Sequence, residues 1–253
     1  MFRLLQIAAL LAGLVYGNVA AGAAEKISLY SHYTTAPFAV EGVPPQLSYT
    51  VRLAAWLTAQ SAGRYLFEAR QMPRLRLNRI VAQADWPGVV AWANPLWFAD
   101  PERQRFLWSS ALMSDRNVLV SRQVDHLQFP VQGPARSLRL GGISGHFYAD
   151  LEPLIQRGQL LREDAQNDLS NVLKLQYERV DMVVLQASSL AYLRTQVGDF
   201  DQWASVSPTL QPSYQRYLFT STANPQLMVF LQQALVQLAQ APEWAELQEA
   251  PLP

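Results

Sequence analysis

Strand-like and helix-like stretches alternate along this chain, and the alternation breaks off once near the middle and then resumes. Lys26 to Tyr33 is rich in strand formers. Leu47 to Gln60 carries Leu47, Val51, Leu53, Ala54 and Leu57 on a mostly helical period, after the Pro44-Pro45 breaker. Tyr65 to Ala69 reads as a strand, Arg74 to Gln83 as a basic amphipathic helix and Gly88 to Ala93 as a buried strand, with Asn117 to Ser121 a further strand. The pattern stops around Pro130, Gly133 and Pro134. It restarts with a strand over Leu138 to Ile143, a helix over Tyr148 to Arg157 and a short strand over Leu160 to Glu163. Asp168 is expected to cap a helix running to about Tyr177, because its carboxylate can accept from the free amides of the first turn. A buried strand over Asp181 to Leu185 and a helix over Ser188 to Thr195 follow, then a looser segment with Pro208 and Pro212. Tyr217 to Thr220 is one more strand, and a long helix from Pro225 to Ala239 precedes the apolar anchor Trp244. Such alternation predicts largely parallel sheets with helices on both faces. At 253 residues the chain exceeds the usual single core, so two α/β lobes are expected.

Charge and composition exclude several classes of function. Lys and Arg number 20 and so do Asp and Glu, which leaves no electrostatic footprint for nucleic acid or an anionic membrane. Half the residues are hydrophobic, enough for a sizeable core. No cysteine is present, so disulfides, thiolate metal sites and cysteine nucleophiles are out of reach. The histidines His32, His126 and His146 have no metal-ligand spacing. No nucleophile elbow, metal-binding helix or phosphate loop occurs, and the acid pairs Asp199 with Asp201 and Glu163 with Asp164 lie in polar stretches. At the amino terminus, Arg3 precedes an apolar run from Leu4 to Tyr16, and Ala21 and Ala23 fill the two small positions before a cleavage point. This is the layout of a secretory signal peptide, too short to span a bilayer, and no later stretch approaches a membrane span.

The ordered series of segments resembles the family 3 extracellular solute-binding proteins, the polar amino acid type that serve ABC importers. Ala36-Pro37-Phe38 is similar to the family's proline-phenylalanine turn, and Asp100-Pro101-Glu102-Arg103 with Trp108-Ser109 to its threonine-x-glutamate-arginine segment, one residue shorter here. Leu140-Gly141-Gly142-Ile143-Ser144-Gly145 resembles the strand and glycine turn that open the second lobe, and Glu178-Arg179-Val180-Asp181 the lead into a later strand. Tyr217-Leu218-Phe219 with Pro225 and Leu227 is similar to the carboxy-terminal return. The resemblance implies a two-lobed type 2 periplasmic-binding-protein-like fold, α/β, with two mixed sheets joined by two hinge strands. Residues 1–24 would be the signal peptide, 25–121 plus 216–253 the first lobe and 122–215 the second. It further implies a periplasmic monomer that captures a small polar ligand in the inter-lobe cleft, needs no cofactor, and hands its ligand to an ABC permease or a receptor in the inner membrane. The same scaffold also carries dehydratases and free-standing sensors, which are the alternatives.

By that resemblance Arg103 would grip a ligand carboxylate, since a planar fork of donors fits two oxygens, with Arg105 as the substitute if the shortening shifts the register. Ser144, Gly145 and His146 follow a strand and precede a helix, which makes them a candidate anion-contacting turn, although the family has serine or threonine where His146 stands. Gln186 stands where amino-acid binders carry an aspartate for the ligand ammonium, and a neutral amide disfavours an ordinary α-amino acid. Tyr33, Trp92 and Asn94 lie at strand ends and are expected to line the cleft, with Ser31 nearby to fix polar atoms. On export the segment up to about Ala23 or Ala24 should be lost; an intact mass of periplasmic material equal to the full chain would contradict this.

Overall fold

The computed structural model describes residues 23–128, 137–148, 150–208, 213–242 and 244–245. Most of the expected signal peptide, the break at Pro130 to Pro134 and Pro212 lie outside the described residues. In chain order the first elements are β1 (Glu25–Ser31), α1 (Tyr49–Gln60), β2 (Tyr65–Gln71), α2 (Arg74–Val81), β3 (Val89–Ala93), β4 (Phe106–Trp108) and β5 (Met113–Asp115). They continue with β6 (Asn117–Arg122), β7 (Leu138–Ile143), α3 (Glu152–Gln156), β8 (Leu160–Ala165), α4 (Asp168–Gln176), β9 (Met182–Gln186) and α5 (Ala187–Gln196). The last are α6 (Phe200–Trp203), β10 (Ala204–Pro208), β11 (Tyr214–Ser221) and α7 (Pro225–Leu238).

Two mixed sheets result. The first runs β2-β1-β3-β11-β4, with β5 also paired to β11; β1 is parallel to β2 and β3, and β11 is antiparallel to its partners. The second runs β10-β6-β9-β7-β8, with β7 parallel to β8 and β9, and β6 antiparallel to β9 and β10. The central strands β3 and β9 are buried on both faces, which is why they read as unbroken apolar runs. On the first, Leu53 and Leu57 of α1 pack with Leu227, Leu231 and Leu235 of α7 on one face, while Leu77, Trp86, Phe98 and Phe219 fill the other. On the second, Val172, Leu175 and Leu193 cover one face, and Leu138, Leu151 and Leu160 the other. No helix among the described residues is long and apolar enough to cross a membrane.

Five local outcomes differ from the sequence expectation. The helix expected over Tyr148 to Arg157 is confined to α3, because Tyr148 folds back so that its hydroxyl accepts from the Ile143 amide and Pro153 sits in the helix's first turn. The N-cap of α4 is Asn167, whose Oδ1 accepts from the Ser170 amide at 2.7 Å, so Asp168 lies inside the first turn with its carboxylate released from capping. The strand expected over Asn117 to Ser121, within the range given to the first lobe and similar to the family's strand that crosses between the lobes, pairs in the second sheet, and the looser segment beside Pro208 contains β10. Trp92 has a positive φ of 61°, and the β3–β11 register steps three residues on β3 for two on β11, which marks a bulge. Its indole points into the first-lobe core, donating to Thr50 Oγ1 at 2.8 Å and stacked on Trp244.

The chain crosses between the sheets at Arg116 and again between Pro208 and Tyr214. Beside both crossings the guanidinium of Arg216, fully buried, donates from Nε and Nη2 to Asp115 Oδ2 at 2.9 and 2.7 Å. The same carboxylate accepts from the Ser188 hydroxyl of α5 at 2.7 Å, so it ties the first sheet to the second lobe. The remaining guanidinium nitrogen donates to the Tyr33 hydroxyl at 2.7 Å and to the Trp92 carbonyl at 2.9 Å. Removing one partner strands a buried charge. Asp115→Ala should therefore cost about 3–5 kcal/mol in urea denaturation, well beyond an ordinary surface change; a loss under about 1 kcal/mol would contradict this role.

Candidate functional site

Carboxyl ends of parallel strands meet between the two sheets, the position where open α/β sheets leave a crevice. His32, Tyr33 and Thr35 follow β1; Ser144, Gly145 and His146 follow β7; Asp168 opens α4 after β8; Gln186 ends β9, with Ser189 in the next turn. The lobes are in contact here. Thr35 Oγ1 donates to Asp168 Oδ2 at 3.2 Å, and the His32 and His146 ring centroids lie 5.1 Å apart. Gly145 has φ of 80°, and a Cβ there would sit 2.9 Å from Leu75 Cδ2 and 3.3 Å from Arg74 Cγ. Only glycine meets both the backbone and the space requirement at this approach. A cavity of about 230 Å³ opens alongside, lined from both lobes by His32, Gln71, Arg74, Ser144, Gln166 and Asn167 among others.

The cluster holds an unusual share of unmet polar groups. His32 Nδ1, His146 Nε2, Gln186 Oε1 and Ser189 Oγ are sealed from solvent and have no hydrogen-bond partner. His32 Nε2 lies 3.4 Å from Arg74 Nη1, which can only donate, so the ring proton resides on the orphaned Nδ1. Burial, aided by Arg74 and by His146, holds His32 well below the usual imidazole range. Burial, with Arg74 and Arg162 adding, likewise pushes His146 down to about 3. Burial raises the Asp168 carboxyl to about 6, against the lowering effect of its Thr35 bond. Arg74 is 5% exposed and donates to Asn78 Oδ1 at 2.9 Å and to the Trp97 carbonyl, with its guanidinium 4.0 Å over the Phe98 ring. Neither Arg74 nor Asp168 has an oppositely charged partner among the described residues.

Of the residues expected at the site, Tyr33, Ser144, Gly145, His146 and Gln186 fall in this cluster or line its cavity. Ser31 is buried beneath it, its hydroxyl donating to the Phe38 carbonyl at 2.7 Å. Arg103, Trp92 and Asn94 are placed elsewhere. Asp100 closes its own loop, with Oδ1 accepting from the Gln104 and Arg105 amides and Oδ2 from Phe106 N and Trp108 Nε1. That loop turns Arg103 outward at φ 54°, where it is exposed and its guanidinium stacks 4.4 Å over Tyr217. Arg105 bonds the Phe98 and Ala99 carbonyls. Asn94 spends both ends of its amide on the backbone, accepting from Leu96 N and donating to the Gln215 carbonyl, each at 3.0 Å. Sequence reasoning missed Arg74, Asp168 and Arg216 as cleft residues. For Arg216 the available signal was a charged side chain next to the apolar strand run Tyr217-Leu218-Phe219.

No protein-family model matches the chain, and no curated protein is similar to it in sequence. Solved structures are similar to it in fold. An ancestral arginine-binding protein bound to arginine superposes with a TM-score of 0.67 at 11% identity, over 92% of this chain and 100% of that one. The amino acid ABC transporter substrate-binding protein AbpA from Streptococcus pneumoniae, bound to L-arginine, gives 0.65 at 13% over 88% and 93%. The GluR0 ligand-binding core from Nostoc punctiforme, in complex with L-glutamate, gives 0.65 at 11% over 88% and 96%. At such identities the likeness establishes the two-lobed α/β fold.

The shifted groups oppose one another in the pH dependence of stability. An unfolded histidine protonates near 6.5 but His146 only near about 3, so its contribution is present above 6.5 and lost as pH falls toward 3. Asp168, near 3.8 unfolded and about 6 folded, contributes below 3.8 and loses that contribution as pH rises through 6. In chemical denaturation from pH 4 to 7, His146→Gln should flatten the acid-side loss of stability. Asp168→Asn should instead gain on the parent as pH rises, by on the order of 3 kcal/mol across the range. Parallel curves for all three proteins would show that these groups are not buried as described.

Proposed function

We propose that this chain is a periplasmic solute-binding protein, a monomer that closes its two lobes over a small polar solute and presents it to an ABC importer. The observation that carries this reading is the set of orphaned polar atoms supplied by both lobes at the carboxyl ends of their strands. A buried polar atom without a partner costs about 1–3 kcal/mol, and a bound solute that bridges the lobes removes that cost. Binding and closure then become one equilibrium, because a solute that touches both lobes favours the closed form in proportion to its extra contacts there. Tyr33, Ser144, Gly145, His146 and Gln186 are assigned to the lining, joined by His32, Arg74 and Asp168. The fold supports the assignment: similar structures include a substrate-binding protein of an amino acid ABC transporter with L-arginine bound and an ancestral arginine-binding protein with arginine bound. A receptor in the inner membrane is the competing partner. The reading is of a carrier rather than a catalyst, so solute should be recovered unchanged after release.

Native mass spectrometry of the protein as purified should show a bound small molecule. Small-angle scattering should show a larger radius of gyration after that molecule is stripped by unfolding and refolding, and recovery when it is returned. A profile that stays the same with and without solute, or release of a chemically altered molecule, would overturn the reading.

A further inference from the structure

We infer that the first lobe carries a second small-molecule site, separate from the cavity between the lobes, which takes a one-ring aromatic carboxylate on Arg105. It is a cavity of about 220 Å³ lined by Asn78, Val81, Trp97, Phe98, Arg105 and Phe106 among others, and none of its lining residues lines the cavity between the lobes. Pockets for drug-sized ligands begin at about 300 Å³, so this one has room for a single ring and a short polar group.

The walls select the chemistry. Phe98 and Phe106 are buried, and each packs on Phe219 with ring centroids 4.7 Å apart, which holds the aromatic wall in place. A flat ring gains from aromatic neighbours beyond the area it buries. Arg105 spends Nη1 on the Phe98 and Ala99 carbonyls, which tethers its guanidinium at the rim. Its Nε and Nη2, the edge that can grip a carboxylate through two parallel bonds, bond to no other described residue. Asn78 Oδ1 accepts from Arg74 Nε, which can only donate, so the Nδ2 hydrogens of Asn78 are left as further donors. No acid lines the cavity. Beside Asn78, α2 carries Arg76 and Arg79 and no carboxylate. Asp100 spends both oxygens on the Gln104, Arg105 and Phe106 amides and on Trp108 Nε1, which also fixes the backbone that presents Arg105 and Phe106. An anion is therefore the charge this rim favours.

The same walls hold Arg74. Its Nε donates to Asn78 at 2.9 Å, its Nη2 donates to the Trp97 carbonyl, and its guanidinium lies 4.0 Å over the Phe98 ring. Three residues of the second cavity thus support an arginine that lines the first. An occupant that orders Asn78, Trp97 and Phe98 alters the setting of Arg74, and by linkage each cavity then acts on the other to the same extent. Resting on the proposed capture function, the aromatic acid becomes an effector of solute binding; the site itself does not depend on that function.

The test titrates phenylacetate into the full mature protein by calorimetry, with acetate as the ringless control and phenylacetamide as the uncharged one. We expect a Kd for phenylacetate below about 1 mM and both controls at least about 10-fold weaker. Arg105→Gln should weaken phenylacetate at least about 10-fold, and Arg105→Lys by less, since it keeps the charge and loses the fork. Arg103→Gln, an exposed neighbour outside the cavity, should leave binding unchanged. In proton–nitrogen correlation spectra the Arg74 Nε–H resonance should shift as phenylacetate is added to the parent and stay in place in Arg105→Gln. Thermal midpoints of the variants equal to the parent's separate a lost site from a lost fold, and Arg105→Lys carries the test if the glutamine variant does not fold. No binding of phenylacetate, or binding that survives Arg105→Gln and is lost in Arg74→Gln, would overturn the second site while leaving solute capture standing. Failure of the lobes to close on any solute, with phenylacetate still bound through Arg105, would remove capture and leave this site.

Discussion

The buried pair between Asp115 and Arg216 is the interaction on which the arrangement of the two sheets depends. It lies where the chain passes from one sheet to the other, and it gathers groups from β3, β5, β11, α5 and the segment after β1 around one guanidinium and one carboxylate. An ion pair of this kind gives little net stability, since desolvating both charges offsets most of their attraction. Its effect is on geometry. The bond from Arg216 to the Trp92 carbonyl fixes the bulge that turns the indole of Trp92 into the core, and the bond to Tyr33 fixes the ring against which His146 rests. Ser188 carries the same constraint into the second lobe, which makes the junction a fixed pivot beneath a more loosely satisfied cleft.

That cleft contrasts with the lobes on either side. Leu, Val and aromatic side chains fill both faces of both sheets, and most buried polar atoms within the lobes have partners. Among the described residues six buried side-chain atoms lack one, and four of these belong to His32, His146, Gln186 and Ser189. Such atoms are rare in folded proteins because each carries a desolvation penalty. Their concentration at one junction sets that junction apart from the filled cores on either side.

Most regular elements were legible in the sequence because their signals are local. The apolar runs at Gly88 to Ala93 and Asp181 to Leu185, the spacing of Leu53 and Leu57, and the long helix after Pro225 all needed no partner to be read. The short strands at Phe106, Met113 and Ala204 were not, since three to five residues of mixed character become strands only through β11 or β6. At the site, the rule that crevices lie at strand ends led to Tyr33, Ser144, Gly145 and His146, and equally to Trp92 and Asn94, which are placed elsewhere, while Gln186 came from the resemblance. Arg74 escaped because a basic helix reads as a solvated face, and Asp168 because a helix start offers a carboxylate an ordinary capping role. Arg103 was expected from resemblance alone, and the carboxylate of Asp100 decides its outward course through bonds no linear pattern reveals.

The strand order has a consequence for the sequence of events during folding. The second sheet is built from one continuous stretch, 117–208, and lacks nothing once that stretch exists. The first sheet is split: β4 and β5 attach through β11, which arrives about a hundred residues later, and α7 must follow to cover one face. Until then β3 offers an open apolar edge, of the kind that invites wrong partners. The inner lobe of the sequence therefore matures first and the outer lobe last, with closure of the long loop between β5 and β11 as the slow, high-contact-order step. A chain that stalls or is clipped before β11 would be left with one finished lobe and one exposed, aggregation-prone sheet.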